Sequence, residues 1–165
     1  MDIIFDVDGT LLDITHRLHF LKLRKAMPNS ERANPSNGKR WKEFRDPKLK
    51  ALDKPIIPVI DVLLALHVDH RVFHNIIIVS GRTRSEEFDT KNSLRSLIPF
   101  INVLPFYMRS EKDYRPDTEM KLTALEKIRK DGYDPIMAFE DRPSVVRMWR
   151  KQGILVADVG EGIDF

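Results

Sequence analysis

Near its start the chain places two carboxylates one residue apart. The apolar run Ile3 to Val7 leads into Asp6-Val7-Asp8-Gly9-Thr10. In an extended backbone residues two apart point the same way, so Asp6 and Asp8 can address one site. Gly9 allows an abrupt turn just after them. Later segments carry complementary groups: Ser80-Gly81-Arg82, Glu140-Asp141-Arg142, and Lys121 one helical turn after Asp117. Such a set suits phosphoryl transfer. A carboxylate can attack phosphorus and form an acyl phosphate. Both reactants are anionic, and Mg²⁺, which prefers hard oxygen ligands, can offset their repulsion. Asp6 with Asp141 and Glu140 could hold it. A serine hydroxyl can donate to a phosphoryl oxygen, and a lysine can add a point charge. Asp8 is then free to protonate the leaving oxygen and later to activate water.

These groups can meet only if the elements carrying them end at one edge. Five short apolar runs read as strands: Ile3 to Val7, Ile76 to Val79, Val103 to Phe106, Ile136 to Phe139, and Ile154 to Ala157. They are nearly continuous rather than alternating, as in parallel strands buried on both faces. Amphipathic helices are predicted between them. One starts at Pro58 and carries Val59, Val62, Leu63 and Leu66. Another carries Leu94, Leu97 and Ile98 and stops at Pro99. A third runs from about Pro116 to Gly132, and a fourth from Pro143 to Gly153. The alternation predicts an α/β fold with a doubly wound parallel sheet flanked by helices. Ligands in such sheets bind beyond the carboxyl ends of the strands, where every chemical group named above falls.

The segment from Leu18 to Pro55 breaks the rhythm. It contains Pro28, Pro35, Gly38 and Pro47, with the polar stretch 34–38 in its middle. It reads as an inserted lid or cap after the first strand, with short helical pieces around Leu18 to Ala26 and Trp41 to Phe44. The predicted division is a core of residues 1–17 and 56–165 and a cap of residues 18–55.

From Arg17 to Lys54 there are twelve Lys and Arg against four Asp and Glu, a net of +8, whereas the rest of the chain carries −5. A basic segment within an acidic chain suggests a polyanionic partner; a solvated insertion is the plainer alternative. Phe20, Trp41 and Phe44 lie in this segment, where they can stack bases or pack the lid onto the core. His70 and His74, and His16 and His19, have helical spacing but no third ligand in a clear pattern. The chain has no cysteine, which excludes disulfides and thiolate chemistry. No run reaches the ~18 apolar residues of a membrane helix, and the N-terminus does not read as a signal peptide. No membrane association and a cytoplasmic location are therefore expected. Gly38-Lys39 lacks the surrounding glycine and hydroxyl residue of a P-loop.

The motifs resemble those of haloacid dehalogenase (HAD) phosphatases, in the family's order: Asp6-Val7-Asp8-Gly9-Thr10, Ser80, Lys121, and Glu140-Asp141. Within that superfamily the chain is similar to the 3′-phosphatase domain of phage polynucleotide kinase. Arg17 has the matching spacing after Asp6. Ser80-Gly81-Arg82 matches a Ser-Gly-Arg, and Arg109 and Asp117 stand twelve and four residues before Lys121. The segment 139–150, including Met148-Trp149-Arg150, and the ending 162–165 are also alike. The resemblance implies a Rossmann-like HAD core and Mg²⁺. It implies a phosphoric monoester hydrolase with Asp6, Asp8, Ser80 and Lys121 as catalytic residues. Thr10, Arg17, Gly81, Arg82 and Arg109 would hold the substrate, and Asp117 would orient Lys121. Asp6, Asp8, Glu140 and Asp141 would form the metal site, although Glu140 stands where that family has aspartate.

The expected function is a polynucleotide 3′-phosphatase that processes nucleic acid ends, with a separate kinase or ligase as an expected associate. The alternative is a nucleotidase acting on nucleoside monophosphates. A third reading, a receiver domain phosphorylated on aspartate without turnover, fits less well. Such domains place the phosphorylated aspartate after a later strand, and no lone aspartate ends the Val103 to Phe106 run.

Overall fold

The computed structural model describes residues 1–22, 39–68 and 75–160. The polar stretch 34–38, much of the helix expected to reach Ala26, His70 with His74, and the ending 162–165 lie outside the described residues.

The elements are β1 (Asp2–Phe5), β2 (Leu12–Asp13), α1 (Thr15–Lys22), α2 (Lys39–Phe44), α3 (Pro47–Lys50), β3 (Lys54–Pro55), α4 (Ile57–Val68), β4 (Asn75–Thr83), α5 (Glu87–Leu94), β5 (Phe106–Arg109), α6 (Asp117–Lys130), β6 (Pro135–Glu140), α7 (Pro143–Lys151) and β7 (Leu155–Asp158). Five strands form a sheet in the order β5-β4-β1-β6-β7, and every pairing is parallel. β1 is therefore central, and its carboxyl end faces the middle of the sheet edge.

The pleat explains why the runs are continuously apolar. Ile3, Phe5, Ile76 and Ile78 point to one face, where they pack with Val59, Ile60 and Leu63 of α4 and with Leu94 and Ile98. Ile4, Ile77 and Val79 point to the other, against Leu125 and Ile128 of α6 and Val145, Met148 and Trp149 of α7. Alternation sends successive residues to opposite faces, and helices cover both. Each such side chain, fully buried, contributes roughly 1.5–3 kcal/mol before entropy is charged against it.

Two expectations shift. The third strand begins at Phe106 rather than Val103. Residues 101–103 form a single tight turn that leaves Val103 79% exposed, and pairing with β4 starts where Ile78 N–H donates to the Pro105 carbonyl at 2.9 Å. Pro105 has no N–H to offer the sheet, so the strand starts after it. The shift carries the strand to Arg109, at the same edge as Asp6. The second helix ends at Leu94, four residues early, and the chain then turns so that Ile98 is still buried.

The insertion has a defined base. β2 and β3 pair antiparallel, Leu12 with Pro55 and Asp13 with Lys54, bringing its two ends together. α1 begins at Thr15, where the Asp13 side chain accepts the Thr15 N–H at 2.8 Å, so Arg17 lies within the first inserted helix. Asp46 caps α3 by accepting the Lys48 N–H at 2.9 Å, with Pro47 in the first turn. Ile14, Leu21 and Phe44 form a small core with Leu18, Phe20 and Trp41 beside it. Phe44 is thus a packing residue. Among the described residues no helix is long and apolar enough to cross a membrane.

Candidate active site

β1 ends at Phe5, so Asp6 stands at the carboxyl edge of the central strand. Its backbone N–H donates to the Phe139 carbonyl at 3.1 Å, tying it to β6. Lys121 Nζ, from α6, donates to Asp6 Oδ1 and to Glu140 Oε2, both at 2.7 Å. Glu140 Oε2 also accepts from Trp149 Nε1 at 3.3 Å. Oxygens of Asp6, Glu140 and Asp141 lie within 4.8 Å of one another. Gly9 adopts φ 91° beside them, and a Cβ there would overlap the Asp141 carboxylate. Glycine is therefore required twice over, by conformation and by space.

Three carboxylates around one ammonium leave an excess of negative charge. Burial pushes Asp6 well above the usual carboxylate range; Lys121 opposes this, and Glu140 and Asp141 add to it. Burial, with Glu140 beside it, pushes Asp141 up to about 7. Burial would lower Lys121, but Asp6 and Glu140 outweigh it and hold the ammonium charged. A buried, oxygen-only donor set short of positive charge fits a hard divalent cation.

Asp8 sits in a different setting. Its Oδ1 accepts from Arg82 Nη2 at 2.5 Å and Nε at 3.0 Å, and from Arg17 Nη2 at 2.8 Å. Both guanidiniums also grip Asp53, at the end of the insertion: Arg17 Nε at 2.8 Å and Nη2 at 2.9 Å, and Arg82 Nη2 at 2.6 Å. The fifth member is Phe44, whose carbonyl accepts from Arg17 Nη1 at 3.2 Å and whose ring lies 4.3 Å from the guanidinium carbon. Burial would raise the Asp8 pKa, but Arg82 and Arg17 outweigh it and hold the carboxyl far below its usual range. Asp8 is therefore ionised here.

A third cluster fixes the wall beyond β5. Arg109 donates from Nε to the Gly81 carbonyl at 3.2 Å and from Nη1 to the carbonyls of Asp113 at 3.0 Å and Arg115 at 2.7 Å. Its Nη2 pairs with Asp117. Asp117 also pairs with Arg142. A Cβ on Gly81 would lie 3.2 Å from Asp117, so the glycine lets this carboxylate approach the backbone.

A cavity of about 400 Å³ opens over these clusters. Asp6, Asp8, Gly81, Arg82, Arg109, Asp117, Lys121, Glu140 and Asp141 line it. Three expected site residues do not. Thr10, Arg17 and Ser80 are fully buried behind the wall. Ser80 Oγ accepts the Arg82 N–H at 3.2 Å, and the Thr10 hydroxyl has no hydrogen-bond partner among the described residues. Arg17 acts on Asp8 rather than facing the cavity. Asp8 stands outside the three-carboxylate cluster, and its Oδ1 accepts from two arginines. Asp117 holds Arg109 and Arg142 rather than bonding Lys121, which Asp6 and Glu140 orient.

Sequence reading missed Asp53, Arg45 and Lys50, although the last two line the cavity. The only signal for them was their place in the basic segment. Nothing in a sequence pairs Asp53 with arginines 36 residues before it and 29 after it.

The fold and this constellation define a phosphatase of the haloacid dehalogenase type. The chain belongs to the family of polynucleotide kinase PNKP phosphatase domains, whose pattern matches residues 35–165. That span holds Ser80, Lys121 and Glu140-Asp141 and begins after Asp6 to Thr10. Among solved structures the chain is similar to a chain of the Pnkp1/Rnl/Hen1 RNA repair complex, at 23% identity and TM-score 0.67, covering 99% of this chain and 43% of that one. A second structure of the Pnkp1/Rnl/Hen1 complex matches at 24% identity and TM-score 0.68, with 99% and 47% covered. The chain thus spans less than half the length of these relatives. A haloacid dehalogenase-like hydrolase from Streptococcus pneumoniae matches at 13% identity and TM-score 0.65, covering 95% and 83%. No curated protein matches by sequence.

Proposed function

We propose that the protein is a Mg²⁺-dependent polynucleotide 3′-phosphatase that works through a phosphorylated Asp6. One observation carries the chemistry: Asp6 stands at the end of the central strand, bonded to Lys121 and within 4.8 Å of Glu140 and Asp141. Family membership and the basic cap support a nucleic acid end as the substrate.

Asp6 attacks the phosphorus of the terminal monoester. The P–O bond to the sugar breaks as the bond to the carboxylate oxygen forms. Lys121 holds the Asp6 carboxylate in place and offsets the charge gathering on the phosphoryl oxygens. Asp6, Glu140 and Asp141 would hold the cation, which supplies further charge stabilisation when bound. Asp8, ionised in the resting site, first takes up the proton of the singly ionised phosphate monoester; it then gives that proton to the leaving sugar oxygen and takes one back from the water that hydrolyses the acyl phosphate. Asp53 shares both of the guanidiniums that hold Asp8 ionised. They can therefore stay in the site while Asp8 carries its proton.

The matched relatives support one more step. Since they come from an RNA repair complex, a separate kinase or ligase is a fitting associate for this chain. Trp41, Phe44, Arg45 and Lys50 of the cap segment 18–55 line the cavity, which supports its role as a lid. A second reading, a nucleotidase, draws on the cavity itself, since about 400 Å³ suits one nucleotide. Phosphate release from a 3′-phosphorylated oligonucleotide and from nucleoside monophosphates, with Mg²⁺, separates the two. The 3′-phosphatase predicts higher kcat/KM on the oligonucleotide, falling with added salt. Turnover confined to mononucleotides would reject it.

A further inference from the structure

Most cations at the cavity are already committed. Lys121 is held by two carboxylates, Arg82 by Asp8 and Asp53, and Arg109 by Asp117 and three carbonyls. Lys50 pairs with Glu86. Arg45 differs. It follows α2 in the cap, lines the cavity and is half-buried. Among the described residues no carboxylate lies within ion-pair distance of it. Its one polar side-chain contact is a long one, Nη2 to the Gly81 carbonyl at 3.5 Å.

A guanidinium has five N–H donors and cannot shed its charge. Burying it without a counter-anion is costly, so the arrangement is completed when an anion arrives. The surroundings point the same way. Burial pushes Arg45 below its usual value despite Asp117 and Asp8 nearby. Burial pushes Lys50 down to about 7; Asp8 opposes this, and Arg82, Arg17 and Arg45 add to it. This end of the cavity is therefore short of negative charge, the reverse of the end built by Asp6, Glu140 and Asp141.

The anion that Arg45 awaits is not the one on Asp6. Arg45 reaches the Gly81 carbonyl, which Arg109 also holds, and bonds to none of Asp6, Lys121, Glu140 or Asp141. A polynucleotide 3′ end carries a second anion at a fixed spacing, the phosphodiester next to the terminal monoester. Its two non-bridging oxygens match the planar fork of an arginine. We infer that Arg45 forms a second phosphate subsite in the cap, one that binds this penultimate phosphodiester and makes the enzyme favour strand ends over mononucleotides.

Because it rests on the strand-end reading, the test separates the two. Thymidine 3′-monophosphate and the thymidine dinucleotide bearing a 3′-phosphate differ by one phosphodiester and one nucleoside. The ratio of their kcat/KM values measures what the second phosphate adds. Arg45→Ala should lower that ratio on the order of tenfold or more, through KM of the dinucleotide. Arg45→Lys, which keeps the charge but loses the fork, should fall between, and guards against a fold defect in the alanine variant. On a longer 3′-phosphorylated oligonucleotide the slope of log(kcat/KM) against log[KCl] should shrink by about 0.7, one contact's worth for a single strand. If the wild type favours the dinucleotide and Arg45→Ala leaves the ratio intact, whether both substrates suffer equally or neither does, the subsite is refuted while the strand-end reading stands. If the wild-type ratio is near one, the strand-end reading itself fails and the subsite with it.

Discussion

The floor of the cavity and its cap side are opposite in charge and origin. The floor comes from strand ends of the sheet. It gathers Asp6, Glu140 and Asp141 around Lys121 and is rich in negative charge. The cap side is mostly the inserted segment, which brings Arg45, Lys50 and Arg17, while Arg82, the second arginine on Asp8, comes from β4. An electron-rich floor can hold a cation and a nucleophile. A basic rim can draw in and orient an anion. Under the proposed function the difference is a division of labour, in which the sheet would supply the chemistry and the insertion the choice of substrate.

The floor can be broken most completely. Asp6→Asn keeps the shape but removes the nucleophile, and phosphate release should fall by roughly a thousandfold or more. The variant should still melt as a folded protein, since Lys121 retains Glu140. EDTA should silence the wild type, with Mg²⁺ restoring it. Persistent turnover in excess chelator would remove the metal from the floor and leave Lys121 as its only neutralising charge.

The seam between the regions is Asp53. Its side chain is fully buried and binds both Arg17 and Arg82. Asp53→Asn should cost stability on the order of 3–5 kcal/mol, because it leaves buried guanidiniums short of charge. Activity should fall as well, since Asp8 would then face both arginines alone. Denaturant melts and kcat on one substrate read the two effects. A neutral result would mean that the cap and the Asp8 clamp are independent.

The two regions also differed in how far the sequence disclosed them. The floor was legible because β-pleating and the carboxyl-edge rule together place Asp6, Ser80-Gly81-Arg82 and Glu140-Asp141 at one end of a parallel sheet. The first strand ends at Phe5 rather than Val7, and the third slips furthest, because Pro105 interrupts its run. The cap was less legible. Its charge count was plain, yet pairing depends on which arginine meets which aspartate across the fold. Arg17 has the spacing of a substrate ligand and is instead sealed behind Asp8. Asp53 looked like a minor charge in a basic run and turned out to anchor that run to the site.

The smallest expected effect concerns the wall that joins floor and cap, where Asp117 pairs with Arg109 and Arg142. Burial would raise the Asp117 pKa, but Arg142, Lys121 and Arg109 outweigh it and depress the carboxyl below its ordinary 3.8. A carboxylate whose pKa is lower folded than unfolded binds fewer protons in the folded state. Its stabilisation is complete above 3.8 and is lost as pH falls from there through the depressed value. Wild-type melting temperature should therefore drop across that acid window, and Asp117→Asn should start lower but fall less steeply. Parallel slopes for the two proteins would mean that Asp117 gains nothing from its arginines, and the wall would then owe its shape to the Arg109 carbonyl contacts alone.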